Sequence, residues 1–355
     1  MQRALSAPGK LFLSGEYAVL WGGTARIAAV GPRTHAFVRR REDREVHILL
    51  DLGRLVGHAT HLGVNWRGEV PEGFHFVART LDEAFRVHGR EALGFDLALA
   101  PSPMAPNGRK LGLGGSARAT VLAAEAARFV LEERFDALKL SLLAHGKAQG
   151  LKGSGGDVAA IYAGGIVRYR RYEIASLAQA SGTGALAAAL SSSPAVDLWR
   201  LPSPKAWLSY AYTEQSASTR LLIAEVERRL GDAGRASFVA ESDSWGEVLE
   251  RGILEGRFEL IAEAAERLET LLSGLGPLET EPMRQILALA RTHGSAGKMS
   301  GAGGGDGCIL FSPDEQTQRA TLEAVASRGF HAFPLTLEPG VRGEAAPEPR
   351  LLSWL

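Results

Sequence analysis

Cysteine is nearly absent: Cys308 is the single thiol in 355 residues. An internal disulfide and a zinc site of clustered cysteines are therefore excluded, which suits a reducing compartment. Net charge is absent as well, with 40 basic side chains against 40 acidic ones. Such a balance supplies no chain-wide attraction to nucleic acid or to an anionic membrane, so any anion has to be held locally. Aromatic residues make up only 7% and are not interleaved with basic ones, which argues against a nucleic-acid module. No apolar run approaches the roughly 18 residues that span a bilayer, and the opening MQRALSAPGK has no apolar signal core. A cytoplasmic protein with no membrane partner is expected.

Several catalytic signatures are missing too. Lys298 is followed by Met299, so the glycine-rich stretch around it is not a Walker P-loop. The nine histidines show no HExxH spacing, and His58 with His61 has no carboxylate or cysteine cluster beside it. Ser14 lacks the GxSxG context of a hydrolase nucleophile. No repeat of solenoid or propeller length is present.

Glycine, by contrast, is in excess: 42 residues, where average usage near 7% gives roughly 25. Half fall in four windows, Gly9–Gly31, Gly112–Gly115, Gly150–Gly165 and Gly294–Gly307. They follow neither a collagen period nor a linker tract. Glycine concentrates where backbone takes positive φ or approaches a ligand, so several loops converging on one site is the expectation, against four unrelated turns.

Along the chain, strand-like runs at His35–Val38, Glu45–Leu50 and Phe95–Ala100 accompany a helical stretch at Phe76–Val87. Helices are predicted over Ser116–Glu133 and Asp136–Gln149. A Ser- and Pro-rich segment within Ala185–Pro204 suggests a domain boundary, placed between residues 195 and 196. Beyond it a strand AWLSYAYT precedes helices near Thr219–Leu230, Ser244–Ile253, Phe258–Leu272 and Pro282–Thr292. A helix at Gln316–Ser327 and a strand at His331–Leu337 follow, and GEAAPEPR is expected to be loosely held. The fold class is α+β.

In RKLGLGGSARAT, three glycines and Ser116 precede the strongest helix, so unpaired N–H groups and the positive helix end would face a phosphate. The Ser116 hydroxyl could meet a nucleotide-borne magnesium ion. The segment also satisfies GxGxxA, but PSPMAPNGRK ahead of it is no buried parallel strand, which weakens a Rossmann alternative. In GSAGKMSGAGGGDGCILF the glycine density favours close approach to an anion over a plain hairpin. Asp157 could cap a helix, and Lys10 could be an exposed strand-end lysine or a phosphate grip.

Three segments in this order, APGKLFLSGEYAVL, KLGLGGSARAT and GKMSGAGGGDGCILF, resemble the three motifs of the GHMP kinases. Tyr17 in GEYAVL and the aspartate of GAGGGDG are most similar to the phosphomevalonate kinases, as are HGKAQGLKGSGGDVAAIYAGG and AYTEQSASTR. The resemblance implies an N-terminal domain with the ribosomal protein S5 domain 2-like fold and a ferredoxin-like C-terminal domain, residues 1–195 and 196–355. It implies ATP and Mg2+, with Lys110, Gly112, Leu113, Gly114, Gly115, Ser116 and Ala117 at the nucleotide and Ser116 at the metal. Lys10 and Asp157 match the catalytic pair. Ser154, Gly155, Ser218, Thr219, Gly301, Ala302, Gly303 and Gly304 join them on the substrate side.

Two departures stand out: the usual double serine of the second motif is Gly115 and Ser116, and Arg118 replaces a small residue. Arg118 could add charge for a phosphate or obstruct it; Lys110, Lys152 and Lys298 are further candidate cations. Mevalonate kinases have a metal-binding glutamate eleven residues before the aspartate, where this chain has Gly146. The expected reaction is ATP-dependent phosphorylation of the small molecule 5-phosphomevalonate to its diphosphate. Mevalonate kinase, another GHMP kinase and a non-catalytic metabolite sensor are alternatives. The oligomeric state is left open.

Overall fold

In the computed structural model, residues 1–180, 184–215 and 219–355 are described, Thr219 and Arg220 as backbone only. Two long antiparallel strands come first, β1 (Gln2–Ser14) and β2 (Thr24–Arg40). Strands β3 (Glu45–Leu50), β4 (Gly53–Thr60) and β5 (Gly63–Trp66) lead to helix α1 (His75–His88) and strand β6 (Phe95–Leu99). Helices α2 (Gly115–Val130), α3 (Ala137–Ala148) and α4 (Gly156–Ala163) precede β7 (Ile166–Arg170). Short helices α5 (Ala175–Gln179) and α6 (Ala185–Ser192) then lead to β8 (Leu198–Leu201).

The second half comprises β9 (Trp207–Tyr212), α7 (Thr219–Glu255), α8 (Phe258–Ser273), α9 (Glu281–Thr292), β10 (Ala296–Ser300) and β11 (Gly307–Ser312). It ends with α10 (Glu315–Ser327), β12 (His331–Pro334), β13 (Arg342–Glu344) and α11 (Pro349–Leu352). Among the described residues, no helix is long and apolar enough to cross a membrane.

One sheet runs β13-β1-β2-β6-β3-β4-β5, with β7 and β8 continuing from the other half of β2. Strand β2 is long enough to serve two partners along one edge: Thr24–Ala28 pair with β7 and Ala36–Arg40 with β6. The predicted short run at His35–Val38 is thus one end of a 17-residue strand. Helices α1 to α4 cover this sheet, burying Leu81, Val121, Leu143 and Ile161 against Val38, Ile48 and Leu97. Alanine-rich α2 can lie close to its neighbours because most of its side chains are small, and alanine favours the helix locally. Asp136 starts α3 by accepting the Lys139 N–H at 3.0 Å, a cap worth about 1 kcal/mol.

The second sheet, β10-β11-β9-β12, is antiparallel throughout. Helices α8, α9 and α10 pack against it. The two helices predicted at Thr219–Leu230 and Ser244–Ile253 are the arms of α7, broken where Gly231 takes φ 60°, ψ −175°. Helix extends through the polar stretch between them because Phe238 buries in the same core as Val226 and Met283.

Two segments depart from expectation. Strand β8 lies inside the Ser- and Pro-rich stretch and pairs with β7, so the first sheet continues past residue 195. The segment expected to be loose is anchored at its two ends: β13 pairs with the outer edge of β1, and Leu351 of α11, directly after it, is fully buried. An unpaired β1 edge would expose a row of backbone donors and acceptors, and β13 covers part of it.

Candidate active site

The loop entering α2 takes its shape from glycine. Gly112 and Gly114 have φ of 72° and 81°, and Gly114 is the N-terminal cap of the helix. Their lack of side chains also admits neighbours. A Cβ on Gly112 would lie 2.7 Å from Cγ of Asp306, and one on Gly114 would lie 3.0 Å from Cγ of Lys10 and 3.4 Å from Ile161. Ile161 is one turn beyond Asp157 on α4, so the Lys10 stem and α4 meet over this glycine. Lys10 N–H donates to the Leu113 carbonyl at 3.1 Å, tying β1 to the loop.

The nucleotide-side candidates divide by exposure. Gly112, Gly114, Gly115 and Ser116 are partly exposed, the Leu113 and Ala117 side chains are buried, and Lys110 is exposed. Beside Gly115, Ser102 Oγ lies 2.7 Å from where a Cβ would begin, placing a hydroxyl close to the one missing from the double serine.

Two candidate cations are corrected by burial. Arg118 is 1% exposed and donates to Pro32 O at 3.2 Å, Thr34 Oγ1 at 3.0 Å and Leu113 O at 3.2 Å. Burial lowers its pKa to about 10, so it is still charged at neutral pH, but it braces the loop from behind rather than facing a ligand. Lys298 is fully buried, paired with Glu16 and bonded to Met299 O at 2.6 Å, so it is not available to a polyanion. Lys152 is exposed in the turn before α4.

Asp157 opens α4, its Oδ1 accepting the Val158 N–H at 2.9 Å. Gly155, at φ 75°, and Gly156 let α4 settle on the sheet, since a Cβ on Gly156 would meet Ile27 at 2.7 Å. Ser154 holds the turn: its Oγ accepts from Gly156 N at 3.3 Å and its carbonyl from Tyr169 Oη at 2.8 Å. The other Asp157 oxygen, Oδ2, lies 3.8 Å from His145 Nε2, and that nitrogen is 3.2 Å from Ser116 Oγ. Spacing rules for metal ligands passed over His145; its place in the apolar run LSLLAHGKA of α3 was the available signal.

The loop between β10 and β11 behaves differently. Gly301, at φ 99°, has open space on its Cβ side. Ala302 O accepts the Tyr17 hydroxyl at 2.6 Å. Gly303 backs onto Leu278, where a Cβ would come within 2.8 Å, and Gly304 N–H is used on Leu278 O at 2.6 Å. Asp306 adopts φ 55°, its carbonyl accepting Thr213 N–H at 2.8 Å and Oγ1 at 2.9 Å. Burial raises its carboxyl pKa, and the positive charge of Lys10 opposes that rise. Ser218 lies outside the described residues, and Thr219 is described only as the first residue of α7.

A family described as GHMP kinases C terminal matches residues 249–331. A phosphomevalonate kinase of Streptomyces sp. (strain CL190) is 32% identical over 95% of this chain and 97% of its own length. The chain belongs to the GHMP kinases. A mevalonate kinase of Thermococcus gammatolerans is also similar to this GHMP kinase, 24% identical over 92% of the chain and 94% of the relative. In fold, the GHMP kinase is similar to Streptococcus pneumoniae phosphomevalonate kinase, solved with phosphomevalonate and AMPPNP. The TM-score is 0.80 at 23% identity, covering 94% of this chain and 99% of that one.

Proposed function

We propose that this GHMP kinase transfers the γ-phosphoryl group of ATP to the phosphate of 5-phosphomevalonate, giving the 5-diphosphate and ADP. The observation that carries the reading is the meeting, around Gly114 and His145, of Lys10 from β1, Ser116 at the head of α2 and Asp157 at the head of α4. The full-length likeness to a phosphomevalonate kinase supports the acceptor.

The start of α2 offers unpaired N–H groups and a positive helix end to the nucleotide phosphates. Among the described residues, no group of three or more His, Cys, Asp or Glu side chains could hold a metal by itself. Ser116 and Asp157 supply hard oxygens, which fits Mg2+ shared with phosphate oxygens. When bound, that ion would neutralise charge on the transferred group.

The acceptor phosphate has a second pKa near about 6, so at neutral pH it is already mostly the dianionic nucleophile. Little general-base help is needed. Lys10 offsets repulsion between donor and acceptor phosphates, and Asp157 orients the acceptor. The Asp306 carboxylate adds negative charge to the surroundings of the Lys10 ammonium.

The test is ADP release with mevalonate, phosphomevalonate, homoserine and galactose as acceptors. Turnover with phosphomevalonate is the expected result. Preference for mevalonate would favour the activity named for the Thermococcus relative, and silence across the panel would favour a metabolite sensor.

A further inference from the structure

His145 joins two of the site residues from a third helix. Its side chain is 2% exposed, and the Phe76 ring of α1 lies 5.1 Å from it at 34°. Both neighbours on the Nε2 side belong to the proposed site: Ser116 Oγ at 3.2 Å and Asp157 Oδ2 at 3.8 Å. The carboxylate is beyond hydrogen-bonding distance, so the bond made by Nε2 is the one to Ser116.

The orientation of a serine hydroxyl depends on where its proton goes. If Ser116 donates to Nε2, its oxygen lone pairs turn away from the imidazole, toward the loop and the phosphate side. If that acceptor is removed, the hydroxyl can turn its proton to the Asp157 carboxylate or to a phosphate. A hydroxyl that binds a cation has to offer a lone pair, so a buried acceptor behind it prepares the productive orientation.

We infer that His145 is a positioning residue whose Nε2 accepts the Ser116 proton and aims Oγ at the cation carried by the nucleotide. The inference rests on the nucleotide reading above and adds a role for a residue that does not itself touch substrate.

ADP binding to the purified full chain, measured calorimetrically with Mg2+ and again with EDTA, tests it. His145→Phe keeps an aromatic ring beside Phe76 and removes the acceptor; His145→Leu is a second acceptor-free replacement should Phe not be accommodated. The expected result is about 10-fold weaker binding with Mg2+, the lower end of what loss of such a supporting contact costs, and less than about 2-fold change in EDTA. His145→Gln, whose Oε1 can accept the same proton, should recover most of the loss.

Equal weakening with and without Mg2+ would reduce His145 to a packing residue and overturn the inference. So would folded Phe and Leu variants that bind like the parent, or a Gln variant no better than Phe. A parent chain that binds no ADP under either condition would overturn the nucleotide reading itself, and the inference with it.

Discussion

The two glycine-rich loops, one before α2 and one between β10 and β11, look alike in sequence and are used differently. Before α2, Gly112 and Gly114 hold positive φ and leave room for Asp306 and Lys10, with the helix start beyond them. Between β10 and β11, Gly303 and Gly304 are turned to Leu278, one by close packing and one through its amide. Gly301, in the same loop, has open space beside it. Glycine density signals a demanding backbone, but whether the demand comes from a ligand or from a packed neighbour depends on which side the chain faces.

The largest expected effect breaks the symmetry between cation and carboxylate at the first loop. Lys10→Met should lower single-turnover phosphorylation of phosphomevalonate at saturating ATP by about 10²–10³-fold, the scale for loss of one preorganised electrostatic contact. Asp157→Asn should cost only about 10-fold, because the acceptor already carries its charge. Equal collapse of both variants would mean that the carboxylate does more than orient the acceptor, either as a base or as an indispensable oxygen for the ion.

A pair of alanine substitutions sharpens the comparison of loops. Both sites are left-handed, at a cost of about 1–2 kcal/mol for a side chain. Gly114→Ala pushes on the Lys10 stem, so activity should fall about 10-fold or more while the unfolding midpoint moves only modestly. Gly303→Ala meets Leu278 Cβ and its carbonyl, so denaturant unfolding should reveal about 2–3 kcal/mol of lost stability, with turnover per folded molecule nearly retained. The reverse pattern would exchange the roles assigned to the two loops.

The smallest effect concerns the anchoring of the second loop. Burial raises the Glu269 carboxyl to about 7, while its Oε2 accepts the Met299 N–H at 2.6 Å. Between the unfolded value of about 4.3 and 7 the folded chain therefore holds the extra proton, and its stability falls as pH rises through that window. Glu269→Gln should remove this slope, so its gain over the parent is little near pH 4 and grows through the window to pH 8. Unfolding curves at the two pH values decide it, and an unchanged slope would assign the titration elsewhere.

The elements with strong local character were legible in sequence: α2, α3, α8 and β3 fall within a few residues of where periodicity places them. Lys10, Ser116 and Asp157 each stand beside a glycine turn, but it was the resemblance to the GHMP kinases that singled them out together; the fold gathers them around Gly114 and His145. Arg118 and Lys298 were not legible, because a charged residue next to a phosphate-type loop has the same letter whether it faces the ligand or the core. His145 was hidden for a related reason: its partners are 29 and 12 positions away in the chain and meet it only through the packing of three helices. Strand β13 escaped because its three residues, RGE, carry no hydrophobic alternation.

That short strand has a consequence for biogenesis. Ser6 of β1 and Glu344 of β13 are bonded across 338 positions of sequence. A ribosome releases the chain from its N-terminus, so the first sheet is long in the open, with one flank of β1 bare, before Arg342–Glu344 emerge. During that interval the flank is a template for another strand, and a nascent chain at high local concentration would need it shielded. Quality control of this kinase should therefore be sensitive to removal of β13, although none of the candidate site residues lies on it.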